Sequence, residues 1–158
     1  MIVQAFVDSG AQSTIMSSKC AEKCGLLHLL DDRFEGVAVG VGTGKILGRI
    51  DVTSLKVQDH FFPCTITVMD SEKGLGDQNM EFLFGLDILK RHRSKIDLEQ
   101  TALVFGLPER QSMEAPFLHE KYLGKNKGGT RGFDAAKSNV ELEKILEEKR
   151  GDGDGQNG

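Results

Sequence analysis

The chain is predicted to be all-β and mainly antiparallel, a small closed barrel with one or two short helices. Three observations point there. Short apolar, β-branched runs alternate with Gly- and Asp-containing turns over residues 2–105, which is strand spacing rather than helical period. Gly42-Thr43-Gly44 separates two such runs, a hairpin signal with glycine on both sides of the tip. Within residues 1–107 helical spacing is confined to two brief stretches, 18–24 and 86–92, too short to build a helical core.

The elements follow in order. Ile2 to Val7 reads as a first strand and Ser13 to Met16 as a second, with a Ser-Gly turn between them. Ser18 to Cys24 reads as a helix that Ser17 or Ser18 caps and Gly25 ends. Val37 to Val41 and Lys45 to Val57 are the arms of the Gly-tipped hairpin. Phe61 to Met69 is a strand that Pro63 places near an edge or a bulge. Asp70 to Asn79 is polar and reads as a surface loop. Met80 to Phe84 is a short strand stopped by Gly85, and Leu86 to His92 a helix whose basic end suits its C-terminus. Lys95 to Leu98 and Thr101 to Phe105 make a last hairpin. A domain of residues 1–107 is therefore expected. Residues 108–158 read as a polar, largely disordered tail with a short amphipathic helix over 138–150, and the Gly/Asp-rich end from Gly151 as disordered.

Composition narrows the function. The 158 residues carry a net charge of −4 with Lys and Arg scattered among acids, which offers nucleic acid no basic footprint. No apolar run is long enough to span a bilayer, so no membrane partner is expected. Three cysteines, an odd number, speak against a disulfide framework and for a cytoplasmic or nuclear setting.

Asp8, in Phe6-Val7-Asp8-Ser9-Gly10-Ala11, is the candidate for chemistry. Asp-Ser-Gly alone is a common tripeptide, and its bland reading is a turn carboxylate capping its own backbone. The context changes the weighting. A strand leads into Asp8, a Gly-tipped hairpin follows, and Phe82-Leu83-Phe84-Gly85 then turns into a helix. A strand-Asp-Ser-Gly-Ala unit, a flap-like hairpin and an apolar-apolar-Gly-helix unit, in that order, resemble a retropepsin. Phe6 to Ser17, Gly40-Val41-Gly42-Thr43, Ile46-Leu47-Gly48-Arg49 and Phe82 to Lys90 together resemble the retroviral-protease-like domain of the DNA-damage-inducible family, over residues 2–105.

The resemblance implies a retropepsin-like acid-protease barrel acting as a homodimer, with Asp8 catalytic and no cofactor or metal. One such motif supplies one carboxylate, and the reaction needs two that share a proton, so two chains must meet about a two-fold axis. It further implies that Ser9 and Gly10 support the active-site loops. Ala11, Gln12, Val41, Gly42, Thr43 and Gly44 would contact an extended peptide, and Leu83 and Phe84 would wall a side-chain pocket. Substrates would be extended protein segments, ubiquitinated ones included. Family members carry a further strand ahead of the one bearing the catalytic Asp, whereas Met1 stands seven residues before Asp8, so that strand is expected to be missing. This motivates the rival reading, a catalytically inactive peptide-binding or ubiquitin-pathway scaffold.

Other signals weigh less. Asp87 falls in the first turn of a helix, where a carboxylate is structural more often than catalytic. Cys20, Cys24 and His28 are spaced by four, but a structural zinc site wants four ligands, and Gly25 ends the helix before His28. Lys90-Arg91-His92-Arg93 reads as a solvated helix end that could meet an acidic partner. Gly132-Phe133-Asp134 and Ser138-Asn139-Val140-Glu141 faintly resemble pieces of a ubiquitin-associated domain, without enough apolar residues for its three-helix core.

Overall fold

Nine strands and two short α-helices are present among the described residues of a computed structural model, which are 1–40, 42–70, 80–119 and 122, with side chains described for all of these except 38–40, 42 and 43. The chain divides into two units, residues 1–128 and 129–158, and the second lies outside the described residues.

Strands β1 (Phe6–Val7), β2 (Ile15–Ser17), β3 (Gly36–Gly40), β4 (Gly42–Val57), β5 (His60–Met69) and β6 (Phe82–Phe84) form one sheet in the order β1-β6-β2-β5-β4-β3. Strands β7 (Lys95–Asp97), β8 (Ala102–Gly106) and β9 (Ser112–Pro116) form a second, antiparallel sheet. Helix α1 (Ser18–Lys23) follows β2, and helix α2 (Leu86–Arg91) follows β6. Two pairings are parallel, β1 with β6 and β2 with β5; all others are antiparallel. The all-β, mainly antiparallel architecture with two short helices is thus as the sequence predicts.

The period-2 pattern of β5 shows why the core forms. Phe62, Cys64, Ile66 and Val68 are buried, with Phe61 and Pro63 exposed and Thr65 and Thr67 half-buried between them, so one side of the sheet is continuously apolar. The second sheet closes over that side. Phe105 of β8 is 1% exposed and lies 4.5 Å, ring centre to ring centre, from Phe62, while Phe84 meets it edge-on at 6.5 Å. Two sheets thus enclose one core.

Local signals account for the helix ends. Ser17 is extended (φ −70, ψ 148) and its Oγ accepts from Cys20 N at 3.1 Å, while Gly25 takes φ +68 just past the helix. Because Ser17 is 4% exposed, water cannot replace that bond. Ser17→Ala is expected to lower stability by about 1–2 kcal/mol, read from the urea midpoint at unchanged m-value. A shift below about 0.3 kcal/mol would mean that Cys20 N finds another acceptor.

Three expectations are corrected. The first strand is confined to Phe6–Val7, rather than starting at Ile2. The hairpin pairs Gly40 with Gly42, so Gly42, Thr43 and Gly44 lie in β4 opposite Gly40, Val39 and Ala38 rather than at its tip. Pro63 is where the sequence places it, near an edge and a bulge: β4 alone pairs with it, opposite Ser54, beside a register shift between Ile50 and Thr53, and its carbonyl takes His92 Nε2 at 2.9 Å. The folded part does not stop at 107. After a turn over Pro108–Arg110, β9 pairs with β8, and Met113 is 6% exposed in the shared core. Ser-Met-Glu-Ala-Pro carries little intrinsic strand preference, so β8 and the core impose the conformation. The loop expected over Asp70 to Asn79 lies, after its first residue, outside the described residues, as does the helix expected over 138–150.

Candidate active site

Asp8 leaves β1 at the point where two chain segments cross. Its amide donates to Phe84 O at 3.0 Å, which continues the β1–β6 pairing by one residue. The chain then turns: Gly10 N donates to Asp8 Oδ1 at 2.8 Å and Ala11 N to Asp8 O at 3.3 Å. A Cβ on Gly10 would stand 3.1 Å from Asp8 Oδ1, so glycine here leaves room for the carboxylate to receive that amide. Asp8, Ser9, Gly10 and Gln12 are exposed and Ala11 is half-buried. Among the described residues, Gly10 N is the one donor to the Asp8 carboxylate. The carboxylate is therefore oriented and open to solvent.

The far side of the loop is fixed to the start of α2. Leu86 N donates to Ala11 O at 2.8 Å and Asp87 N to Gln12 O at 3.1 Å. Thr14, 0% exposed, closes the crossing. Its amide donates to Asp87 Oδ2 at 2.9 Å, its hydroxyl donates to Asp87 Oδ1 at 2.6 Å, and its Oγ1 accepts from Gly85 N at 3.2 Å. Asp87 Oδ1 also accepts from Ile88 N at 2.7 Å. The helix-terminal role expected for Asp87 is present, and the same carboxylate holds Thr14. Sequence reasoning missed Thr14, because its partner is 73 positions away and no local pattern links the two.

Gly85 makes this crossing possible. A Cβ there would overlap the Ser13 carbonyl and stand 2.9 Å from Thr14 N. Its backbone (φ −92, ψ −178) is open to any residue, so close approach alone demands glycine.

The expected substrate-contacting residues fall in three places. Ala11 and Gln12 are on the Asp8 loop. Gly42, Thr43 and Gly44 are in the hairpin and Val41 lies outside the described residues. Met69 packs onto Gly44 so closely that a Cβ would collide with its methyl carbon. Leu83 and Phe84, 8% and 7% exposed, point to opposite faces of β6. Phe84 belongs to the core, edge-on to Phe82 at 5.2 Å and to Phe105, so it does not wall an open pocket in this chain.

The hairpin base is held by polar contacts. Asp31 and Arg49 exchange both backbone hydrogen bonds, at 2.8 and 3.0 Å, and the Arg49 guanidinium lies 3.8 Å over the Phe34 ring. Gly48 (φ +155) lets Asp31 O approach to 2.5 Å of where a Cβ would be. The Arg33 side chain, at 2.5–3.2 Å, holds the Asp31 carboxyl down at about 2, well below the ordinary carboxylate range.

Cys20 and Cys64 are not poised for chemistry. Burial, then the neighbouring Cys24, pushes the Cys20 thiol up to about 12, and burial pushes Cys64 up to about 11. His28 lies in a separate turn over Leu27–Leu29, and among the described residues no group of three His, Cys, Asp or Glu could hold a metal. In the basic run, His92 and Arg93 are used internally, on Pro63 O and Leu107 O. No helix among the described residues is long and apolar enough to cross a membrane.

Comparison with known proteins agrees with this geometry. A family model described as aspartyl protease matches residues 1–97. "Protein DNA-DAMAGE INDUCIBLE 1" of Arabidopsis thaliana is 51% identical over 119 residues, 75% of this chain and 27% of that protein. "Protein DDI1 homolog 2" of Homo sapiens is 45% identical over 114 residues, 72% and 27% of the two chains. The chain thus spans about a quarter of the length of these curated relatives. The crystal structure of the retroviral protease-like domain of Ddi1 from Leishmania major superposes with a TM-score of 0.64 at 42% identity, covering 78% of this chain and 90% of that one. An exposed Asp8 on a glycine turn, a crossing closed at Gly85 and these matches agree: the chain belongs to the aspartyl protease family, as a retropepsin-like domain of the DNA-damage-inducible type.

Proposed function

We propose that two copies of this chain pair to form an aspartic endopeptidase that cleaves extended protein segments, ubiquitinated proteins among them. The observation that carries this reading is the Asp8 carboxylate, oriented by Gly10 N and otherwise open, on a loop braced from both sides. A single carboxylate cannot be general acid and general base at once. Two held together about a symmetry axis cannot both ionise easily, so one keeps its proton. The ionised member takes a proton from a water, whose oxygen attacks the scissile carbonyl carbon. The protonated member gives its proton to the carbonyl oxygen. Collapse of the tetrahedral species breaks the C–N bond as a proton passes to the leaving amine, and no acyl-enzyme forms.

In this reading Ser9 and Gly10 keep the paired loops in place, and Ala11 and Gln12 present backbone and side chain to the peptide. The hairpin through Val41 to Gly44 closes over the substrate by strand pairing. Leu83 borders the dyad.

Concentration dependence tests the pairing. With one Asp8 per chain, cleavage rate per chain should rise with chain concentration at high dilution and level off once dimers dominate. The sedimentation-measured dimer fraction should follow the same curve. Cleavage whose rate per chain stays constant down to concentrations where only monomer sediments would sink the shared-dyad reading.

A further inference from the structure

We infer that Asp87 and Thr14 act together as positioning residues for Asp8, which rests on the protease reading above. Asp87 touches no reacting atom. Its carboxylate is an acceptor for three donors: Thr14 N on Oδ2, and Thr14 Oγ1–H and Ile88 N–H on Oδ1. Thr14 Oγ1 also accepts from Gly85 N, so the hydroxyl proton has one direction left, toward Asp87. Thr14 is completely buried and its carbonyl accepts from Thr67 N at 2.9 Å, which ties the end of the loop to β5. The start of the loop is tied through Asp8 N to Phe84 O, and its middle through Ala11 O and Gln12 O to the first amides of α2. Residues 8–14 thus span two fixed ends, and the Asp87 carboxylate sets where the second end lies relative to β6 and α2.

The donor count makes carboxylate chemistry specific here. An asparagine offers one oxygen, enough for the Thr14 hydroxyl and Ile88 N–H. Its NH2 group would then face the Thr14 amide, donor against donor, and that amide, on a residue 0% exposed, would lose its acceptor. A serine at position 14 keeps the hydroxyl and both of its bonds, whereas a valine keeps the shape and loses them.

The experiment uses the full chain and a fluorogenic peptide that the parent cleaves. Asp87→Asn and Thr14→Val should each lower kcat by roughly 10- to 100-fold, the range for a catalytic group displaced by about an ångström, while KM changes by less than about threefold. Thr14→Ser should stay within about twofold of the parent, and the double variant Asp87→Asn/Thr14→Val should be about as slow as the slower single variant. Rates are taken well below each variant's melting temperature and referred to folded protein. An unchanged kcat in Asp87→Asn with only a lowered melting temperature would make the pair a stability brace and overturn the inference. So would a Thr14→Ser enzyme as slow as Thr14→Val, or effects that multiply in the double variant. If the parent cleaves nothing, the protease reading fails by itself, and amide exchange still decides the positioning. Exchange at Gly10 N–H should quicken by about tenfold or more in Asp87→Asn while the Ile66 amide in the core stays protected. Unchanged exchange at Gly10 overturns it.

Discussion

Asp8→Asn is expected to lower peptide cleavage by roughly 10⁴-fold or more, because in a symmetric pair it removes both the acid and the base. The fold should survive. Asp8 is exposed, and an asparagine oxygen still accepts from Gly10 N in place of Oδ1, so the urea midpoint should stay within about 0.5 kcal/mol of the parent. Mixing gives a sharper form of the prediction. An equal amount of the Asp8→Asn chain, added to parent at a concentration where dimers dominate and exchange, should leave about half of the parent's activity. Random pairing then places half of the parent chains in mixed dimers with one functional carboxylate. A mixture as active as the parent alone would mean that each chain works independently. An Asp8→Asn enzyme that cleaves at the parent rate would remove Asp8 from the mechanism altogether.

Gly85→Ala is expected to cost about 3 kcal/mol or more, the upper end for overpacking a rigid site. The new methyl group would overlap the Ser13 carbonyl and press on Thr14 N, which are backbone atoms held by the Asp87 and Thr67 bonds. A flexible side chain could swing away; this crossing cannot separate without breaking hydrogen bonds on both strands. Gly36→Ala is the control, since a Cβ at Gly36 meets nothing within 4 Å and should change stability by no more than about 0.5 kcal/mol. Urea unfolding of both variants reads the difference, and a loss below about 1 kcal/mol in Gly85→Ala would show that the crossing yields more easily than its contacts indicate.

Both predictions concern residues that the sequence already singled out, but for reasons of different kinds. Asp8 was legible from a local signal, an apolar strand with a turn glycine two residues on, given weight by the order of three motifs along the chain. Gly85 was legible as a strand stop, and its actual reason, the approach of Ser13, lies 72 positions away. Thr14 was read only as part of a strand, although its hydroxyl and amide close the site. Phe84 illustrates the reverse: motif analogy set it beside the substrate, and burial against Phe82 and Phe105 sets it in the core.

The sequence by itself determined the strand periodicity, a serine cap at 17 or 18, the Gly25 stop and the Asp-Ser-Gly turn, since each depends on residues within a turn or a strand of one another. Only the tertiary structure decided that 112–116 is a strand, that Gly42 to Gly44 pair with Gly40 to Ala38, and that Asp87 holds Thr14. The physical reason is common to all three. Strand pairing and buried polar contacts join residues distant in the chain, and weak local preferences such as those of Ser-Met-Glu-Ala-Pro yield to whatever register buries Met113 and satisfies the backbone.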